Sequence, residues 1–331
     1  MKAPVFLHGM WRSGSTYIWS RFRACPDTYC FYEPLNYGLN RLTRKRITRD
    51  TPERAAANSH PALSQPYFAE YAPLLKFPKG VKAFRKRMSY NNFVLPEDSA
   101  DNRLRRYISR LIDYATAQNR TPVLGFNASD LRVGWMNRQF RPVSIHISRD
   151  PLVVWASYRR FMAEGNYTFF TAWMLIIEKN RYHPLFAPLA AQLHLRRRSK
   201  VLTENPKDFY RAALDAMSPA DSYRVVFWLW LASTLHALGQ CVGFIDMDRA
   251  GEPGYAQTCA DMVAGKCGLN VTFEDFRAPA AVPDPGFDHA AIEREVLQSF
   301  PAALPIFNRP GAQVNLHRLA GRKQELISGL L

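Results

Sequence analysis

The sequence predicts an α/β fold, a central parallel sheet with helices covering both faces. Three observations predict it. Short apolar strands alternate with segments of helical spacing from Pro4 to Phe161. A glycine-containing turn, Gly9 to Ser15, joins the first strand to the first helix. Pro151 follows another strand, and proline at a helix's first turn gives up no hydrogen bond. Strands that alternate with helices pack as a covered parallel sheet.

The elements follow in order. Pro4–His8 reads as a strand, Thr16–Ala24 as a helix, and Thr28–Tyr32 as a second strand that Glu33-Pro34 ends. Arg103–Ala117 is a helix with Leu104, Ile108, Leu111 and Ile112 on one face. Val123–Phe126 is strand-like, Asp130–Phe140 helical, Val143–Ile147 a strand, and Pro151–Phe161 a helix. Val225 to Ile245 carries no formal charge and has the length of a membrane span. His236, Gln240 and two glycines interrupt it, so the expectation is a buried helix to Leu238, a break at Gly239, then a strand. No linker stands out. One domain over residues 1–331 is expected, with inserts at about 36–102 and 162–222.

Composition narrows the partners. The chain has 331 residues and is 47% hydrophobic, which excludes disorder as its main state. Its 44 Lys and Arg exceed 28 Asp and Glu, a net charge of +16. Such a surface attracts nucleotides, nucleic acid, acidic glycans or acidic lipid head groups, or it only keeps the protein in solution. The five cysteines are odd in number, without C-x-x-C spacing. They read as thiols of a reducing compartment. The N-terminus leaves no room for a signal peptide before the first strand, so a complete, cytoplasmic chain is expected.

The sharpest motif is Gly9-Met10-Trp11-Arg12-Ser13-Gly14-Ser15-Thr16. It has the spacing of a phosphate-binding loop and lies between a strand and a helix. Backbone N–H groups and the helix N-terminus then favour an anion there. The predicted architecture is a P-loop NTPase-like three-layer sandwich with helical inserts. One departure decides the chemistry: Ser15 holds the place of the usual lysine, and the basic residue is Arg12. A kinase or NTPase needs that lysine on the phosphates and Mg²⁺ on the next hydroxyl. A second motif runs from Arg149-Asp150-Pro151 to Ser157. Alone it could be an ion pair and a buried serine. With the first loop, it suggests a nucleotide carrying phosphates at both ends of its ribose.

This pair of motifs resembles those of sulfotransferases that use 3′-phosphoadenosine 5′-phosphosulfate. Arg12 to Thr16 matches the first, (K/R)-x-G-(S/T)-(S/T), and Arg149 to Ser157 matches R-D-P-x-x-x-x-x-S. The likeness is greatest to carbohydrate sulfotransferases, through Trp11 to Ser15, Pro26-Asp27, Glu33-Pro34 and Cys267 to Leu269. It covers residues 4–35, 123–160 and 240–276. The resemblance implies that Arg12 holds the 5′-phosphosulfate near its bridging oxygen. It implies that Ser13, Gly14, Ser15 and Thr16 bind the 5′-phosphate, and that Arg149 and Ser157 hold the 3′-phosphate. Tyr17 aligns with an adenine-stacking position or is a core tyrosine. No metal is implied, because arginine and N–H donors can stabilise a transferring sulfuryl group.

The acceptor hydroxyl needs a general base. Glu33, at the end of the second strand, is the first candidate; a turn cap or an arginine partner is the alternative. His8 is the reserve base or a satisfied core histidine. Asn127, Ser129 and Asp130 could line the same cleft, although many family members have a basic residue where Asn127 stands. Basic clusters fall at Arg41–Arg49, Lys76–Arg87 and Arg196–Lys200, in the inserts where acceptor loops are expected. The expected acceptor is a hydroxyl of a glycan or glycolipid, with peripheral membrane contact left open. The other readings are a nucleotide kinase or NTPase and a basic nucleic-acid-binding protein. The latter lacks any RNP, helix-turn-helix or zinc-finger pattern.

Overall fold

In the computed structural model, five strands form one all-parallel sheet: β1 (Val5–Gly9), β2 (Thr28–Tyr32), β3 (Thr121–Asn127), β4 (Val143–Ser148) and β5 (Gly243–Asp246). The structure describes residues 2–49, 65–127, 129–194, 206–277, 282, 284–302, 304–307 and 311–331. The strand order is β2-β3-β1-β4-β5, and β1 pairs His8 with Phe126 on one side and His146 on the other. From β1 the chain continues toward β2, and from β4 toward β5. A crevice therefore opens between the carboxyl ends of β1 and β4, where ligands of open parallel sheets bind.

Period-2 alternation sorts the strand residues onto two faces. Val5, Leu7, Val123, Ile145, Ile147 and Ile245 pack with α1 (Ser15–Ala24) and a late helix, Tyr255–Cys267. Phe6, Leu124 and Phe126 pack on the other face against α2 (Asn102–Ala117) and α3 (Val133–Phe140). The sheet thus lies between helical layers. A further core gathers α4 (Pro151–Ala163), α5 (Thr168–Lys179) and α6 (Pro219–Gln240).

The apolar stretch near Val225 is α6, buried on all sides from Ser222 to Leu238 apart from the half-buried Arg224. Among the described residues, no helix is long and apolar enough to cross a membrane. Gly239 does not break α6, which continues to Gln240. A single interior glycine costs only about 1 kcal/mol, less than the packing of this helix supplies. The predicted helix Asp130–Phe140 divides into a 3₁₀ turn, Asp130–Arg132, and α3. Arg132 explains the division. Its buried guanidinium donates to the carbonyls of Met88 (2.8 Å), Asn91 (2.8 Å) and Asn92 (3.1 Å), pinning the 36–102 insert to the end of the sheet. The Arg196–Lys200 cluster lies outside the described residues.

Candidate functional site

The loop after β1 has room only for glycine at its two glycine positions. A Cβ on Gly9 would stand 2.7 Å from Ser13 Oγ and 3.0 Å from the Ile147 carbonyl. Gly14 adopts φ 87°, and its Cβ would meet the Met247 side chain at 2.7–2.9 Å. Arg12 is also left-handed, φ 67°. Within this turn the Ser13 N–H donates to the Met10 carbonyl at 3.2 Å. α1 starts at Ser15 with no side-chain cap and no acidic residue in its first turn. Its first N–H groups have no intrahelical acceptor, and the helix dipole adds positive potential.

Guanidinium groups gather beside this loop. Arg12 Nε donates to Ser157 Oγ at 2.9 Å, and Arg149 Nη1 donates to the Arg12 carbonyl at 3.0 Å. The Arg12 guanidinium lies 4.7 Å over the Phe161 ring, and Tyr158 donates to the Trp11 carbonyl at 2.9 Å. Burial, then the charges of Arg160 and Arg149, push Arg12 down to about 10. Burial also lowers Arg149, although Asp248 and Asp150 oppose this. Arg149 Nε is buried without a hydrogen-bond partner. The resemblance implies Arg12 near the bridging oxygen of the 5′-phosphosulfate and Arg149 with Ser157 on the 3′-phosphate. The structure brings all three into one cluster, with the Ser157 hydroxyl on Arg12.

At the ends of β2 and β3 the sign of charge reverses. Glu33, with φ 42°, is half-buried. Its N–H donates to the Gly125 carbonyl at 2.9 Å, and its carboxylate accepts from the side-chain amides of Asn36 and Asn127. Burial pushes the carboxyl up, while hydrogen bonds from Asn36, Asn127 and Tyr32 hold it down. Tyr32 also bonds Thr16 through the two hydroxyls, 2.8 Å apart. Tyr32, the chain neighbour of Glu33, thus ties the end of β2 to the first turn of α1. Asn36 and Tyr32 escaped sequence reasoning. The Asn36 amide lies three residues past Glu33, a local signal that could have been read; the reach of Tyr32 across to α1 left none.

The other expected residues are distributed as follows. The Ser13 hydroxyl is buried without a partner, facing a cavity of about 10 Å³ beneath the loop that Ser148, Trp230 and Thr234 also line. Tyr17 donates to the Glu274 carbonyl at 2.6 Å and stacks on Phe276, ring centres 5.6 Å apart; burial raises it to about 12. His8 is fully buried, stacked on Phe126 and 3.1 Å from Ser129 Oγ through Nδ1. Burial, with smaller contributions from His146 and His236, pushes it down to about 3 against the opposing charge of Asp130. In this conformation His8 does not open onto the cleft. Asp130 is likewise buried, 3.3 Å from His146 Nδ1.

Sequence reasoning also missed the acids beyond β4 and β5. Asp246 ends β5, one residue past the strand end expected, and Lys323 of the C-terminal helix pairs with both Asp246 and Asp248. The Asp150 N–H donates to Asp248 at 2.6 Å, and Arg322 pairs with Asp150 at 2.7 Å. These contacts clamp the C-terminal segment beside Arg149. An acid after an apolar strand was a readable signal, whereas its basic partner 77 residues away was not.

No protein-family model, curated protein or solved structure matches the chain. One end offers N–H groups and guanidiniums to an anion. The other offers a carboxylate with raised proton affinity, suited to accept a proton from a hydroxyl.

Proposed function

We propose that the protein is a cytoplasmic sulfotransferase of P-loop NTPase-like architecture. It would move a sulfuryl group from 3′-phosphoadenosine 5′-phosphosulfate to a hydroxyl of a glycan or glycolipid. One observation carries the reading. Arg12, Arg149 and Ser157 cluster beside the uncapped start of α1, with Arg149 Nε buried and unsatisfied. A buried guanidinium in that state calls for an anion.

In this reading the N–H groups of Gly14 to Thr16 hold the 5′-phosphate. Arg12 releases Ser157 and turns to the bridging oxygen, where negative charge grows as the bond to sulfur breaks. Arg149 and Ser157 take the 3′-phosphate. Glu33 accepts the acceptor's proton, its basicity set by burial against three hydrogen bonds. The donor supplies an activated sulfuryl group, which carries less negative charge than a phosphoryl group, so arginine and N–H donors suffice. Five free, buried cysteines agree with a reducing compartment.

Thermal unfolding with added nucleotide tests the reading. The product-like bisphosphate, adenosine 3′,5′-bisphosphate, should raise Tm without Mg²⁺, since a ligand at 100 times its Kd adds about 2.7 kcal/mol. A shift with ATP and Mg²⁺ but none with the bisphosphate would favour a phosphoryl-transfer enzyme instead.

A further inference from the structure

Two basic segments far apart in sequence meet on one face. All eleven Lys and Arg side chains of residues 41–49 and 76–87 are exposed, and neither segment contains an acid. Among the described residues, none of these eleven is in an ion pair with a carboxylate. Backbone bonds join the segments: Gly80 N–H to the Leu42 carbonyl at 2.7 Å, and Val81 N–H to the Leu39 carbonyl at 3.0 Å. Leu42, Ile47, Leu74, Val81, Phe84 and Met88 anchor them from below in the core. The charges therefore stand on a packed platform.

At its tip the turn Lys76-Phe77-Pro78-Lys79 presents a bare aromatic. Phe77 is 98% exposed, and Lys76, Pro78 and Lys79 beside it are exposed too. A lone exposed apolar side chain needs no explanation. A fully exposed phenylalanine between lysines, in a basic segment without acids, combines the two terms that bind a bilayer: an apolar group for the interface and cations for anionic head groups.

We infer that this face docks on an anionic lipid surface, with Phe77 inserted at the head-group level and the flanking lysines on lipid phosphates. Single-stranded nucleic acid is the competing partner. It binds along several stacking platforms in a groove. The neighbouring aromatics offer none: Tyr37 is stacked on Tyr90 at 5.6 Å and capped by Lys86 at 4.7 Å, while Tyr71 and Phe84 are buried. The inference does not rest on the transfer reading, since binding is scored without donor or acceptor.

Co-sedimentation of the full chain with vesicles is the test. Vesicles of phosphatidylcholine mixed with phosphatidylglycerol should bind it, phosphatidylcholine alone should not, and added salt should release it. Lys76→Glu with Lys79→Glu should weaken binding at least tenfold. Phe77→Ser should weaken it several-fold and leave the salt dependence in place. All three positions are exposed, and an unchanged Tm would verify that each variant folds. No binding to the mixed vesicles would overturn the inference. So would an undiminished affinity in Phe77→Ser, or tighter, salt-steep binding to single-stranded RNA than to the vesicles.

Discussion

Two ends of one sheet edge carry opposite chemistry. At β1 and β4, Arg12 and Arg149 are desolvated guanidiniums whose proton affinity falls through burial, and Arg149 Nε lacks a partner. At β2 and β3, Glu33 is a desolvated carboxylate whose proton affinity rises, yet amides from Asn36 and Asn127 satisfy both of its oxygens. Burial destabilises charge at both ends. The carboxylate is relieved by two side-chain amides, whereas at the arginine end Arg12 Nε donates to Ser157 and Arg149 Nη1 to the Arg12 carbonyl, with Arg149 Nε left without a partner. The lesson is that burial is answered by different groups at the two ends: side-chain amides for the carboxylate, a hydroxyl and a backbone carbonyl for the guanidiniums.

The largest expected effect separates the ends. Glu33→Gln keeps size and much of the hydrogen bonding but removes basicity. Turnover on the best acceptor in a glycan and glycolipid panel should fall by roughly 10²–10⁴-fold, with donor affinity near wild type. If donor affinity or Tm changes along with rate, Glu33 is a structural support of the loop through Tyr32 and Thr16. Arg12→Ala comes next. It should weaken donor binding by about 1.5–3 kcal/mol and also slow turnover at saturating donor. Loss of affinity alone would place Arg12 on the ground-state donor only.

The pH dependence sharpens the carboxylate end. A base must be ionised, so turnover should fall as pH drops through the raised pKa of Glu33, and that acid limb should lie above the ordinary carboxylate value. Asn36→Ala removes a hydrogen bond to the ionised form. It should move the limb to still higher pH. A limb that stays in place would mean that Asn36 does not set the basicity of Glu33.

How much of this was legible in sequence depends on distance along the chain. β1, its loop and α1 were readable because apolar run, glycines and helix are contiguous, and their boundaries moved by only a residue or two. Glu33 was reachable for the same reason, at the end of an apolar strand. The Ser157 hydroxyl on Arg12 and the Tyr32 phenol on Thr16 were not readable. Side-chain direction across a sheet depends on strand order, and β1 has β3 and β4 as neighbours. The break expected at Gly239 is absent because the packing around α6 outweighs the local propensity of one glycine. The surroundings of His8 were hidden likewise, since His146 faces it only through parallel pairing of β1 with β4.

The smallest expected effect on function lies between the two ends. His8 is buried with its pKa pushed down to about 3. Its folded-state value lies below its unfolded value of about 6.5. The stability it contributes is therefore present above about pH 6.5 and is lost as pH falls through that window toward 3. Denaturant unfolding against pH should show this loss, approaching about 1.4 kcal/mol per pH unit. His8→Gln should flatten the curve there and leave donor affinity unchanged. An equally steep curve in the variant would assign the acid sensitivity to another group.

The central claim is that the β1–β4 crevice reads a nucleotide at both ends of its ribose, with Arg149 on the 3′-phosphate. Calorimetric titration of adenosine 3′,5′-bisphosphate and of adenosine 5′-phosphate, into wild type and Arg149→Ala, tests it most directly. In wild type the bisphosphate should bind tighter by about 1.5–3 kcal/mol, the worth of a charge-assisted contact. In Arg149→Ala that preference should collapse, with adenosine 5′-phosphate bound nearly as before. Equal weakening of both ligands in the variant, or no preference in wild type, would contradict the claim.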